Sequence, residues 1–336
     1  MVDSNSSGVA AKGIGAAIVI LLVLICGVGI YWSDEPNVWD VKAALEQQQQ
    51  TNAGNEKTVI GAATTLTIIQ LTETLLNKPG GYITNDVMPP GLFMDNIPNW
   101  EFGVLVQLRD MSRALRKDFA RSQSTSAEDR DLAKAEPQLH FNNDKFWLPS
   151  TEGEYTTALK YLERYQARLS DPSNAQAQFF ARSDNLRSWL ADVETRLGSL
   201  SQRLSASVGK EQLNIDLAGD SAAQRSTGVP SEQTVKTDFF ELDDIFYEAR
   251  GNAFALVHLL KAIEIDFHDV LQKKNALVSV RQIIRELEAT QQSIGSPMIL
   301  NGDGFGMLAN HSLVMANYIS RANAAIIDLR ELLSQG

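Results

Sequence analysis

Residues 14–32 read IGAAIVILLVLICGVGIYW, an unbroken apolar run without a charged side chain. At about 1.5 Å of rise per residue the run reaches about 28 Å, close to the roughly 30 Å hydrocarbon core of a bilayer. It is the one run of this kind in the chain, and about three hundred residues of mixed polarity follow it. The reading is one transmembrane anchor carrying one large aqueous domain. A cleaved signal peptide has a shorter apolar core and a small-residue cleavage site, whereas this run ends in Ile30-Tyr31-Trp32. Tyr31 and Trp32 suit an aromatic belt at the headgroups.

Charge sets the expected orientation. Lys12 precedes the run, and Asp34 and Glu35 follow it. The positive-inside rule puts residues 1–13 in the cytoplasm and the domain outside. Cys26, the single cysteine, lies inside the run, so the exported part has no disulfide framework. So short a cytoplasmic segment leaves no room for a signalling output domain. The chain has 30 Lys and Arg against 41 Asp and Glu, a net charge of −11. An acidic domain argues against nucleic acid as a partner and against general adhesion to anionic lipid.

Downstream, apolar residues recur at helical spacing, and Gly and Pro punctuate them. A stalk is expected over 33–57, with Val38-Trp39 and Val41 to Leu45 starting a short helix on the membrane. A first helical half spans 58–208, a loop or linker 209–236, and a second helical half 237–336. In the first half, helices are expected over Val59–Asn77, Asn96–Phe119, Thr151–Leu169 and from Asp171-Pro172 to Val208. Residues 120–138 read as a polar connection. Thr151 to Glu154 fits a capping box, and so do Asp238 and Glu241. In the second half, helices are expected from Asp238 to about Lys274, over Leu277–Gln292 and over Met307–Leu333. Leu186, Leu190, Val193, Leu197, Leu200 and Leu204 form a heptad seam. It suits an antiparallel bundle within one chain, and an oligomer through 186–204 is the other outlet. The fold class is all-α, an elongated antiparallel helical bundle behind an N-terminal transmembrane helix. A weak internal similarity relates Ile68–Asp86 to Ile283–Asp303, and convergence of two helical hairpins is the preferred explanation, since a repeat needs similarity at a fixed period.

No catalytic motif stands out. Asn301, Asp303 and Gly306 imitate the start of a calcium loop, but Phe305 and Ser312 occupy ligand positions. Glu264 and His268 share a helix face, and a salt-bridged histidine is the expectation there. Arg109, Arg113, Arg116, Lys117 and Arg121 form a basic stripe that suits a solvated face paired with Asp110 and Asp118. No metal site and no cofactor is expected. Two apolar loops, Tyr82 to Met94 and Ser296 to Gly306, are the candidate docking or ligand site. They contribute Tyr82, Asp86, Phe93, Asn301, Asp303 and Phe305. Either they fold back and plug one end of the bundle, or they form an exposed patch.

The anchor, the loop Gly80-Gly81-Tyr82 with Asp86 and Pro89-Pro90-Gly91, the stretch Phe146-Trp147-Leu148-Pro149 and the loop Asn301 to Gly306 together carry a resemblance. The chain resembles, over nearly its whole length, a family of single-span, membrane-anchored proteins of Gram-negative bacteria defined only as a domain of unknown function. The resemblance implies an inner-membrane location with a periplasmic domain, and it implies no activity. Two functions are then open. One is a periplasmic scaffold or accessory subunit that works through contacts with other envelope proteins. The other is a ligand-binding or enzymatic module with its site at the 82–94 and 296–306 loops.

Overall fold

In the computed structural model the apolar run is one helix, α1 (Ser4–Trp32). Its segment Lys12–Trp32 is long and apolar enough to cross a membrane and is not buried against the rest of the chain. The structure describes residues 4–51, 59–171, 177–213, 232–296, 298–302 and 307–335. The remaining helices are α2 (Val41–Thr51), α3 (Ala62–Asn77), α4 (Asn96–Ala114), α5 (Leu132–Leu139), α6 (Thr151–Leu169) and α7 (Ser183–Ser205). They continue with α8 (Leu242–Asp266), α9 (His268–Lys273), α10 (Leu277–Ala289) and α11 (His311–Ser334). The domain after the anchor is helical, with one short antiparallel ladder, β1 (Lys210–Leu213) on β2 (Glu232–Val235), in the register Lys210 opposite Val235.

The helices of the two expected halves share one core. It runs from Ile68 in α3 to Leu333 in α11. At its centre lies α8, where every residue from Ala249 to Leu260 is buried. A helix apolar on all sides is stable only when neighbours surround it. Here α2, α3, α4, α7, α10 and α11 all pack on it. The tightest approach is to α4. A Cβ at Gly103 would stand 2.1 Å from the Glu248 carbonyl oxygen, and one at Gly251 would stand 2.0 Å from that of Trp100. Glycine at both positions is what lets the two backbones meet.

The directions of the helices define two ends. The contacts of Asn99 with Asp244 and of Gln107 with Asn252 show that α4 and α8 run parallel. Their N-termini mark the end where α1 joins, called the base below. The opposite, distal end holds Phe119, Phe179 and Phe267 in mutual ring contact.

Several expected boundaries move. The first cap of α6 is Ser150, which accepts from the Gly153 amide. The Thr151 hydroxyl instead donates to the Asn142 and Lys145 carbonyls. Asp238 does cap, but into a 3-10 turn, Phe239–Glu241, before α8. The connection 120–138 contains α5, whose buried Leu132, Ala135 and Leu139 lie on one face with Pro137 in its last turn. The expected helix start at Asp171-Pro172 runs into residues 172–176, which lie outside the described residues, and the described helix α7 starts at Ser183. Residues 177–182 stay out of helix, where Phe179 fills the distal aromatic cluster and the Phe180 amide donates to the Phe119 carbonyl at 2.6 Å. The long helix ending near Lys274 breaks at buried Phe267. The last helix starts at His311, behind the Asn310 cap, rather than at Met307. The linker 209–236 is tied at its ends by the β1–β2 ladder. The heptad seam is buried within the chain, with α7 packed antiparallel to α11 and joined to it by Arg330 and Glu194.

Candidate functional site

The segment expected as a stalk is built into the domain as far as it is described. Residues 33–40 leave α1 and climb along α8. Glu35 accepts from Arg250 Nε at 2.6 Å. The same guanidinium donates to the carbonyls of Thr290 and Gln292 at 2.9 and 2.8 Å, where α10 ends. Burial raises the Glu35 carboxyl above its usual range, and Arg250 opposes that rise. Four residues further, the Trp39 indole stacks on the His258 imidazole with centroids 3.6 Å apart. The Trp39 amide donates to His258 Nε2 at 3.1 Å, which leaves Nδ1 as the donor to the Phe254 carbonyl at 2.7 Å. One donor and one acceptor nitrogen make a neutral ring. Burial agrees, holding the His258 pKa down to about 3. Val41 and Leu45 then bury themselves against Ala62, Ala63, Leu66 and Ala262. The short helix expected on the membrane therefore lies on the bundle, because its apolar face finds one there.

A second device holds the loop after α3. Lys78 Nζ and Glu101 Oε1 are 2.6 Å apart and both side chains are fully buried. Glu101 also accepts from the amides of Ile83 and Thr84 at 2.9 and 2.8 Å, and Lys78 donates to the Gly81 carbonyl. A buried pair of this kind is tolerated only when its remaining hydrogen-bonding capacity is used, as it is here. Asp266, on α8 at the distal end, works likewise on α3. It accepts from the amides of Gly61 and Thr64 and caps that helix from another element, since Gly61 offers no side chain. Burial pushes the Asp266 carboxyl up to about 6, against those hydrogen bonds.

The six residues singled out above divide. Tyr82 is buried, edge-on to Tyr155, and its hydroxyl donates to the Asn143 carbonyl at 3.0 Å. Asp86 lies against Gly91, and burial raises its carboxyl, with the charge of Glu152 adding to the rise. Phe93 is 75% exposed. Asn301 bridges to Asn310 and accepts from the Ser312 hydroxyl. Asp303 and Phe305 lie outside the described residues. As far as they are described, both loops sit at the base, but they do not share either of two clefts there. A cleft of about 1010 Å³ takes Ser296 from one loop and nothing from 82–94, and one of about 670 Å³ takes from neither. The ridge 33–40 lies between these clefts and lines both.

Other candidates resolve into structure. Glu264 pairs with Arg281 at 2.6 Å, not with the exposed His268. In the basic stripe, Arg113 bridges Asp110 and Asp192, Arg116 reaches Glu128 and Glu136, and Arg109 donates to the carbonyls of Leu139 and Phe141. Among the described residues no three His, Cys, Asp or Glu side chains gather as metal ligands do. The groups that sequence reasoning passed over are Glu35, Trp39, Lys78, Glu101, Arg250 and His258. A lone histidine inside LVHLL and a lone arginine inside an apolar helix were the available signals.

The family model for uncharacterized proteins conserved in bacteria, DUF2333, matches residues 5–336, and the chain belongs to that family. Comparison with curated proteins and with solved structures finds no match.

Proposed function

We propose that this family member is a single-pass envelope protein of the bacterial inner membrane, with its N-terminus in the cytoplasm and its helical domain in the periplasm. There it serves as a scaffold or accessory subunit through contacts with other envelope proteins. The observation that carries the reading is the docking of residues 33–45 on α8. The anchor and the domain are thereby one mechanical unit, held at a set height and orientation. A fixed height and orientation suits a platform for partners. The buried polar groups found here hold the segment on α8 and the loop after α3 in place. Arg250, His258, Lys78 and Glu101 are each bonded within the chain, Arg250 and Lys78 at the walls of the two clefts that flank the segment.

One experiment tests both parts. Spheroplasts carrying the full chain are treated with a membrane-impermeant amine crosslinker or with a permeant analogue. The expected result is a small set of discrete protein adducts with the impermeant reagent. Adducts with the permeant reagent alone would overturn the orientation. Lysine modification by the impermeant reagent without any protein adduct would overturn the scaffold role.

A further inference from the structure

The base of the bundle carries large apolar side chains that stand exposed. Met88 and Phe93 are exposed in the loop before α4, Trp147 and Leu148 before α6, and Phe239 and Phe240 before α8, with Trp147 at 74% and Phe240 at 83%. Three loops from separate parts of the chain thus present the same chemistry at one end. Local contacts place them there. Tyr82 and Asn85 join the first loop to the second through the carbonyls of Asn143 and Lys145. Asn99 and Asp244 join the first turns of α4 and α8. Leaving such side chains in water is unfavourable, and patches of this kind mark contact surfaces.

The position of α1 selects the occupant. The Trp32 ring, on the last residue of α1, packs on Gly80, where an added Cβ would stand 2.7 Å from it. One turn earlier, Gly29 faces Pro90, and an added Cβ would stand 3.4 Å from the proline ring. Pro90 belongs to the loop that holds Met88 and Phe93, and Gly29 lies within the Lys12–Trp32 span. A loop in contact with the last turn of a membrane-spanning helix is at the depth of the headgroups. We infer that the base of the bundle is a second membrane contact. The loops carrying Met88 and Phe93, Trp147 and Leu148, and Phe239 and Phe240 dip into the interface of the bilayer that α1 crosses, so the domain sits on the lipid surface. This rests on the reading of α1 as membrane-spanning. Aromatic residues suit that layer, having an apolar body and a polar or polarisable edge. The same loops carry Asp86, Asp95, Asp144, Asp238 and Glu241, so anionic headgroups do not supply the attraction. The contact is apolar and does not require acidic lipid.

The test uses the full chain with Cys26→Ser, reconstituted in phosphatidylcholine vesicles. Single cysteines at Phe93, Trp147 and Phe240 carry a fluorophore, and the vesicles contain lipid brominated high on the acyl chain. Tyr31 in α1 and Thr125 at the distal end are the references. All these loop positions are exposed, so labelling does not disturb the core. Quenching at 93, 147 and 240 comparable to that at 31, with none at 125, is the expected result. It should persist in high salt and without anionic lipid. Quenching at 31 alone would overturn the inference and free the base for a protein partner. Loss of quenching at 31 as well would remove the anchor reading, and the inference with it. Quenching that appears only with anionic lipid would overturn the apolar mechanism.

Discussion

At the scale of single residues, His258 is held neutral because both ring nitrogens are committed and the ring is sealed under Trp39. A protonated ring would set a donor against the Trp39 amide. The sign of the pH effect follows. The folded pKa of about 3 lies below the ordinary 6.5, so the unfolded chain binds the proton more tightly. The contribution of His258 is complete above pH 6.5 and is lost as the pH falls toward 3, at up to about 1.4 kcal/mol per unit. Asp266 acts in the opposite sense. Its raised pKa makes its contribution complete below the ordinary carboxylate value and lost as the pH rises through about 6. The substitutions separate the two. His258→Phe keeps the stacking but strands one amide, costing about 1–3 kcal/mol at neutral pH. It should also flatten the fall of melting temperature between pH 6.5 and 4.5. Asp266→Asn should steepen that fall. Thermal melts across this range check both, and an unchanged slope for His258→Phe would show that the ring is not the titrating group.

At the scale of elements, the crossing of α4 and α8 is fixed by glycine. Gly103 and Gly251 each face a backbone carbonyl of the other helix, which no rotamer change can move. Alanine at either position must push the helices apart and loosen Trp100 and Phe254, which touch there with centroids 5.0 Å apart. Gly103→Ala and Gly251→Ala should each cost about 1–3 kcal/mol or more, as overpacked cores do. The double variant should cost less than the sum, since one displacement accommodates both methyl groups. Urea unfolding of the three variants measures this, and strict additivity would refute a shared crossing point. Helices of this kind were legible in the sequence because their apolar faces repeat with the right period. The stripe of Phe102, Leu105, Leu108, Met111, Leu115 and Phe119 placed a helix up to Phe119, and the structure forms it as α4 with Leu115–Phe119 as a π turn. The ends of helices were less legible, because distant contacts decide them. Asp266 caps α3 across the fold, and residues 177–182, with Phe179 in the distal aromatic cluster, are not helical. The candidate loops were found by composition, but their division into buried Tyr82 and exposed Phe93 depends on which elements lie beneath them. Asp86 and Asn301 were read as part of a docking or ligand loop; in the structure Asp86 lies against Gly91 and Asn301 bridges to Asn310. Glu35 and Trp39 were missed as site residues because, before folding, they look like any polar tether. Their partners Arg250 and His258 are more than two hundred positions away.

At the scale of the whole molecule, the consequence is that the domain starts earlier than the residue pattern suggests. A flexible stalk would allow the anchor to be cut anywhere before α3 without loss. The docked segment forbids it. Removing residues 33–51 strips Trp39, Val41 and Leu45 from apolar contacts, each worth about 1.5–3 kcal/mol on burial. It also leaves Arg250 buried without its carboxylate and His258 without the Trp39 amide. A chain beginning at Asp34 should therefore fold alone, with a strongly helical circular dichroism spectrum and a cooperative melt. A chain beginning at Ala53 should melt at a clearly lower temperature or fail to fold. A third chain, beginning at Asp34 with Glu35→Gln and Trp39→Ala, should fall between them, since Val41 and Leu45 remain in place. Equal melting of all three would mean that the segment only rests on the bundle. The ordered series would mean that a force on α1 reaches α8, at the centre of the core, through Glu35 and Trp39. The anchor would then be mechanically continuous with the helix on which α2, α3, α4, α7, α10 and α11 all pack.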